Sequence, residues 1–264
     1  MKKSFLLLLS TSVISPLAWA ESTQMTGLGE SSTLFFEMAR KWQVTVGGGL
    51  ASVSRYDGAV TNRLRFVPLL DAENGHIFAG TTRGIGYNFS DNADLQYGLR
   101  MTLARSRKQS ADARLKGMGD IGSAGEAGAF LNARFAPWYV SSSLAASSHG
   151  TWLDLGGGYE ARLSEADRLR MGASLSWGNA RYNQTFFGVN AAQAAASGNV
   201  LTAYNANSGI KDYGLVANWM HNYSREWFSN AGISLKQLSG SDKNSPLTVK
   251  STMYSANFVV GYHF

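Results

Sequence analysis

From Trp42 to the last residue, apolar side chains alternate with small or polar ones, and this pattern constrains the chain more than any other feature. Successive side chains of a β-strand point to opposite faces, so the alternation reads as strand after strand, each with one apolar face. The end of the chain shows it best. Counting back by twos from Phe264 gives Tyr262, Val260, Phe258, Ala256 and Tyr254; the other register gives His263, Gly261, Val259, Asn257 and Ser255. As the last strand of a soluble sandwich this would be an aggregation-prone edge, whereas closure of a barrel pairs it with the first strand. Phe258, Val260, Tyr262 and Phe264 are therefore expected to face lipid, and a terminal aromatic of this kind resembles the signal taken up by bacterial barrel-assembly machinery.

Two-faced strands alone do not separate barrel from sandwich, because a sandwich also alternates. The content of the polar faces does more. Leu95, Tyr97, Leu99, Met101 and Leu103 oppose Gln96, Gly98, Arg100 and Thr102, and Leu169, Met171, Ala173, Leu175 and Trp177 oppose Arg170, Gly172, Ser174 and Ser176. Small residues with interspersed charges of both signs suit a narrow lumen where side chains converge. The charges expected inside are Arg65, Arg100, Glu126, Arg134, Asp154, Glu160, Arg162 and Arg170. Segregated rings of one sign would mark a selective constriction. Mixed signs favour a network of pairs that fills the lumen. Trp42, Trp138, Trp177, Trp219, Trp227 and Tyr262 begin or end the apolar faces, as interfacial belts require.

The other end of the chain fixes the compartment. Lys2 and Lys3, the run Phe5 to Leu9 and Ala18-Trp19-Ala20 form the three-part pattern of a secretory signal peptide over residues 1–20. Residues 21–41 have no clear period and are expected to form a periplasmic N-terminal segment, with the barrel occupying 42–264. Beyond the leader no stretch approaches the ~20 apolar residues of a membrane helix. The formal net charge of +6 falls when the leader's lysines are removed, and no basic run points to nucleic acid. With 0 Cys there are no disulfides and no thiolate chemistry.

An up-and-down antiparallel barrel of this type has an even strand number, short periplasmic turns and longer outer loops. Working back from a periplasmic Phe264, the long segment 181–209 and the polar segment 105–119 fall outside, while Ser90 to Ala93 and Ala136-Pro137 become short turns. Keeping this phase requires residues 75–89 to form two short strands turning near Thr82-Arg83, which makes twelve; ten follows if one hairpin leaves the wall. Pro68, which cannot donate a ladder bond, is expected at a bulge or strand end.

Few residues suggest chemistry. His149 with Asp154, or His221 with Ser224, could be put forward as parts of a hydrolytic triad, but no serine motif accompanies either, and solvated or interfacial histidines are the expectation. The four histidines are too dispersed for a metal site. No catalytic, cofactor-binding or metal-binding residue is assigned. The long outer loop holds Tyr182, Phe186, Phe187, Gln193 and Gly198. Within it Asn190 followed by an alanine-rich run and Gly198 predicts a short capped helix, and the Phe186-Phe187 pair needs cover, which favours folding inward over the mouth.

Several segments together resemble the MipA/OmpV family of MltA-interacting outer-membrane proteins. They are Phe78 to Phe89, Gly117 to Ile121 with Glu126 to Gly128, Tyr182 to Gly198, Ile210 to Gly214, Ser245-Pro246 and the terminal aromatic. The resemblance implies a β-barrel in the outer membrane of a Gram-negative bacterium, in contact with its lipids and without enzymatic activity. It further implies a scaffold that brings a murein lytic transglycosylase together with a murein synthase of the penicillin-binding class at the cell wall. Other members are linked to drug or solute passage, adhesion or antigenicity, so fold transfers better than role.

Overall fold

The computed structural model describes residues 42–264; the expected leader and the segment 21–41 lie outside the described residues. Twelve antiparallel strands form one closed barrel in sequence order. They are β1 (Gln43–Ser54), β2 (Asn62–Asn74), β3 (Ile77–Gly80), β4 (Gly84–Asn88), β5 (Leu95–Leu103), β6 (Gly125–Phe135), β7 (Trp138–Ser147), β8 (Gly150–Arg162), β9 (Asp167–Gly178), β10 (Gly209–Asn222), β11 (Trp227–Leu238) and β12 (Thr252–His263). Three short α-helices, α1 (Ala180–Phe187), α2 (Ala191–Ala196) and α3 (Gly240–Lys243), lie in the outer connections, with two 3-10 turns at Gln109–Ala111 and Ala113–Leu115. Among the described residues no helix is long and apolar enough to cross a membrane; the strands make the crossing.

Closure is made by β1 and β12, with Leu50 opposite Phe258 and Val46 opposite Tyr262. The Phe264 N–H donates to the Val44 carbonyl at 2.9 Å, so pairing runs to the last residue. Alternation then sends the long apolar side chains outward: Leu99, Met101, Leu144, Leu215, Ile233 and Phe258 are all exposed. In water such a surface would aggregate; in lipid it is the solvated face. At the end with the short turns, Trp138 stacks edge-on to Tyr159 at 5.4 Å and Trp227 to Tyr262 at 5.1 Å, forming an aromatic belt at the periplasmic rim.

The short hairpin expected over 75–89 is present as β3 and β4, turning at residues 81–83, which settles the number at twelve. Pro68 departs from expectation. It causes neither a bulge nor a strand end, because β2 continues through it in unbroken register with β1, from Asn62 to Glu73. Its missing N–H falls on the other side of the strand, where no ladder partner is needed. The outward face gives a direct test of orientation. Leu215→Arg in the middle of β10 should cost about 2–4 kcal/mol of unfolding free energy, read from urea titrations in lipid vesicles.

Candidate functional site

The outer connections do not stand free in solvent. They fold over the barrel mouth as one lid. Asn179 caps α1 by accepting the Tyr182 N–H at 2.8 Å, and the helix buries Tyr182, Asn183, Phe186 and Phe187. Asn190 and Gln193 form a reciprocal capping box on α2, at 2.8 and 2.9 Å, and the Gln193 amide also donates to the Met118 carbonyl at 2.8 Å. The capping pattern around Asn190 announces α2, whereas α1 falls within what the sequence presents only as a long loop. Gly198 takes a positive φ of 75° two residues past the end of α2.

Two apolar clusters hold the lid. One joins Tyr56 and Ala59 of the β1–β2 loop to Leu115, Met118, Val189, Leu201 and Leu247; the other joins Tyr182, Phe186 and Phe187 to Ala206, Leu238 and Met253. Polar ties cross between loops: Arg107 donates to the Phe186 carbonyl at 2.6 Å, Ser245 to the Phe187 carbonyl at 2.6 Å, and Tyr56 to the Leu247 carbonyl at 3.0 Å. Gly117 matters for the same reason. Its φ is 85°, and a Cβ there would lie 2.6 Å from the Ala196 backbone, so the 104–124 connection can pack on α2 only with glycine at this point.

Beneath the lid lies a buried ionic cluster. In β10 the register with β9 shifts between Ile210 and Asp212, leaving Lys211 as an extra residue. The bulge turns two consecutive charged side chains inward, and both are almost fully buried. Lys211 bonds Asp212 at 2.6 Å and approaches Asp57 at 3.6 Å; Lys236 approaches Asp212 at 3.6 Å. Arg105 forks onto Asp57 at 2.6 and 3.2 Å. Burial alone would raise the Asp57 carboxyl, but the Arg105 and Lys211 charges outweigh it and hold the group well below the usual carboxylate range. Asp242 in α3 behaves in the opposite way: burial pushes it up to about 7 against the partial help of Lys211, with Asp57 and Asp212 adding repulsion.

Lower in the lumen the charges form a paired network. Arg170 reaches Glu160 at 2.5 Å, and Arg134 reaches Asp94 at 2.8 Å and Glu160 at 4.0 Å. Arg83, at the tip of the short hairpin, bonds Asp71 at 2.6 Å and Glu73 at 2.8 Å. Arg100 donates to Ser143 at 2.9 Å and lies within Coulombic reach of Glu126 and Asp154; Glu126 accepts from Thr102 at 2.9 Å and from the Trp152 indole at 2.7 Å. Arg65 shares the lumen-facing register of β2, while Arg162 sits at the periplasmic end of β8 beside the Ser164 carbonyl. Between these groups, a recess of ≈ 30 Å³ is lined by Glu73, Phe78, Arg83, Arg100, Phe130 and Asn132 among others, room for about one water. Asp57, Asp71, Glu73, Arg83, Arg105 and Lys211 join the expected lumen charges, as do Asp212 and Lys236, which lie on the polar faces of β10 and β11. For Lys211-Asp212 a signal existed: two adjacent charges between Ile210 and Tyr213 interrupt the alternation.

The histidines take no part in a triad. His221 bonds Asp167 at 2.8 Å at the periplasmic end, not Ser224. His149 is half-buried: its carbonyl accepts from the Thr185 hydroxyl of α1 at 3.2 Å, and Phe186 packs edge-on to its ring at 5.8 Å.

A closed twelve-stranded barrel with an apolar exterior, an aromatic rim and a polar interior is an outer-membrane β-barrel. The family model for the MltA-interacting protein MipA matches residues 46–264, and the chain belongs to that family. The family and the fold are both non-catalytic kinds of protein. Among solved structures the chain is similar to the COG4313 outer membrane channel from Pseudomonas putida F1, at 10% identity and TM-score 0.47 over 85% of this chain and 96% of that one. It is also similar to a Pseudomonas aeruginosa FadL homologue, at 9% and 0.38 over 86% and 90%, and to Salmonella typhi OmpF in complex with daunomycin, at 13% and 0.35 over 80% and 65%. At these scores no functional argument passes from them. No curated protein matches the chain.

The lid makes two measurable claims. Asp57→Ala leaves Arg105 and Lys211 buried without their shared carboxylate and should weaken lid docking by about 3–5 kcal/mol, seen as faster amide exchange in the 104–124 connection. The Asp242 carboxyl has a raised pKa, so between pH 3.8 and about 7 the docked lid holds a proton that the undocked one has lost. Docking should therefore weaken as pH rises across that interval and level off above it. Exchange at Leu247 and Thr248, corrected for intrinsic rates, should be faster at pH 8 than at pH 5, and Asp242→Asn should abolish the difference.

Proposed function

We propose that this barrel is a platform rather than a conduit, holding a murein lytic transglycosylase and a murein synthase near one another at the periplasmic face of a Gram-negative outer membrane. The observation that carries this reading is the double obstruction: the mouth is roofed by interlocked loops and the lumen below is crossed by paired charges. A barrel that passes no solute still offers a fixed position in the membrane. The family name adds weight, since it describes proteins that interact with MltA. The partners would meet the short turns, where Asp91, Asp94, Glu165, Arg168, Arg225 and Glu226 supply charges of both signs, together with the chain before Trp42. The terminal strand, with Phe264 paired to β1, is the part offered to the assembly machinery. In this role the protein needs no catalytic group of its own.

Two measurements test the platform. In planar bilayers the protein should show no stable conductance; steady openings would favour a diffusion channel instead. Crosslinking of intact envelopes should recover a lytic transglycosylase with the barrel, and Arg168→Glu with Arg225→Glu should reduce the recovery severalfold without loss of folded barrel. Failure to recover it alongside a positive control would reject the scaffold.

A further inference from the structure

At the periplasmic mouth the lumen carries two arginines whose charges no acid meets. In the β8–β9 hairpin Arg162 stands directly opposite Arg168, and both belong to the inward register, as do Glu160 and Arg170 two residues deeper. Like charges facing each other across an antiparallel pair destabilise it. The acids nearby are committed elsewhere. Glu160 takes Arg170 at 2.5 Å and Arg134 at 4.0 Å, and Asp94 takes Arg134 at 2.8 Å. Asp167 lies in the outward register and accepts from Ser164 at 2.7 Å, His221 at 2.8 Å and the Trp219 indole at 2.9 Å. Among the described residues Glu165, at the tip of the turn, bridges neither arginine, and the Arg162 guanidinium reaches the Ser164 carbonyl at 3.4 Å. Arg162 is exposed and Arg168 half-buried, so both can be reached from the periplasm.

The same row of the wall leads to unsatisfied amides. Strand pairing carries it from Arg168 to Met220 and on to Asn230. The Asn230 Oδ1 has almost no solvent contact and no hydrogen-bond partner. The next row, two residues deeper, runs from Arg170 through Asn218 and Gly232 to Asn257, and there the Asn257 Nδ2 is likewise unpartnered. Gly232 leaves room for these amides: a Cβ on it would lie 2.4 Å from the Asn257 oxygen and 2.5 Å from that of Asn218. The mouth thus offers two guanidiniums for an anion and, beside them, an amide acceptor and an amide donor of the kind that pair with a peptide group. Arg168 and Asn230 lie two strands apart, about 10 Å, which is the reach of about three extended residues. Because the arginines point into the lumen and away from lipid, a slender chain end rising from the periplasm meets them more directly than a head group held in the leaflet.

We propose that the periplasmic mouth binds a short peptide ending in a free carboxylate, the stem peptide of the cell wall, with the carboxylate between Arg162 and Arg168 and its amide groups on Asn230 and Asn257. A wall stem combines what this site asks for: few residues, several free carboxylates and no folded body behind them to strike the rim. The ligand is the wall itself and not an enzyme that works on it, so the site is independent of the scaffold reading.

Calorimetric titration of the purified barrel in phosphatidylcholine nanodiscs tests the site, with no enzyme present and three probes: the murein tetrapeptide L-alanyl-γ-D-glutamyl-meso-diaminopimelyl-D-alanine, the same peptide with its carboxylates converted to amides, and an all-L peptide of equal length and charge. The first should bind saturably, and the amidated form about tenfold more weakly or less, as loss of charge-assisted hydrogen bonds implies. Arg162→Gln with Arg168→Gln should weaken the tetrapeptide by a similar factor; Arg168→Gln alone serves if the double variant does not fold, as judged by heat-modified gel mobility. Lys243→Gln, exposed on the outer side, should leave the affinity unchanged. Absence of saturable binding overturns the proposal, as does binding that survives the arginine changes or falls equally with Lys243→Gln. Equal or tighter binding of the all-L peptide also overturns it, since the occupant would then be the tail of a protein partner. Failure here leaves recovery of the transglycosylase from envelopes untouched, so the two readings fail separately.

Discussion

The structure depends on the demand that backbone N–H and C=O groups find partners where no water is available. An α-helix meets that demand within itself; a sheet meets it only by closing. Here closure falls on β1 and β12, which share an unbroken register from Thr45 with His263 to Ser52 with Ala256. With the ring closed, every outward side chain must suit lipid and every inward one must share a narrow space. The alternation along each strand follows from that division. The same demand gives the short β3–β4 hairpin its interest, since it is the one part of the described wall where the ring is thin.

Inside, electrostatics takes over from hydrophobic burial as the organising force. Charges removed from water are tolerable when each meets an opposite partner at bonding distance. Arg83 with Asp71 and Glu73, Arg170 with Glu160, and Arg105 with Asp57 satisfy this at different heights. The lid adds an apolar layer above, with Phe187, Leu115 and Leu247 wholly buried. A solute entering from outside would have to displace packed side chains first and then compete with ion pairs. Strand number sets the girth of the wall; what lies within it is set by the inward side chains and the lid.

Much of the wall was legible in the sequence because a period of two survives any local accident. The outward register of β5, β9 and β12, the hairpin turning near Thr82-Arg83 and the capped helix after Asn190 could all be read directly. What could not be read arises from long-range contact. Nothing near Asp57 announces that Arg105 and Lys211 converge on it, since those residues meet only after the barrel has closed. Helix α1 was hidden because its buried positions are set by the neighbouring loops and not by its own periodicity. Pro68 misled for a related reason: its tolerance depends on which side of β2 lacks a partner, a property of the neighbouring strand.

The lid draws its parts from four connections spread around the circumference, at residues 55–61, 104–124, 179–208 and 239–251. Tyr56 meets Leu247 and Asp57 meets Lys211 across most of the chain's length. Bringing such distant segments together from an open chain carries a large loop-closure entropy, which the finished ring has already absorbed. Closing the ring thus lowers the cost of docking the roof, so whatever loosens the seam between β1 and β12 loosens the lid as well.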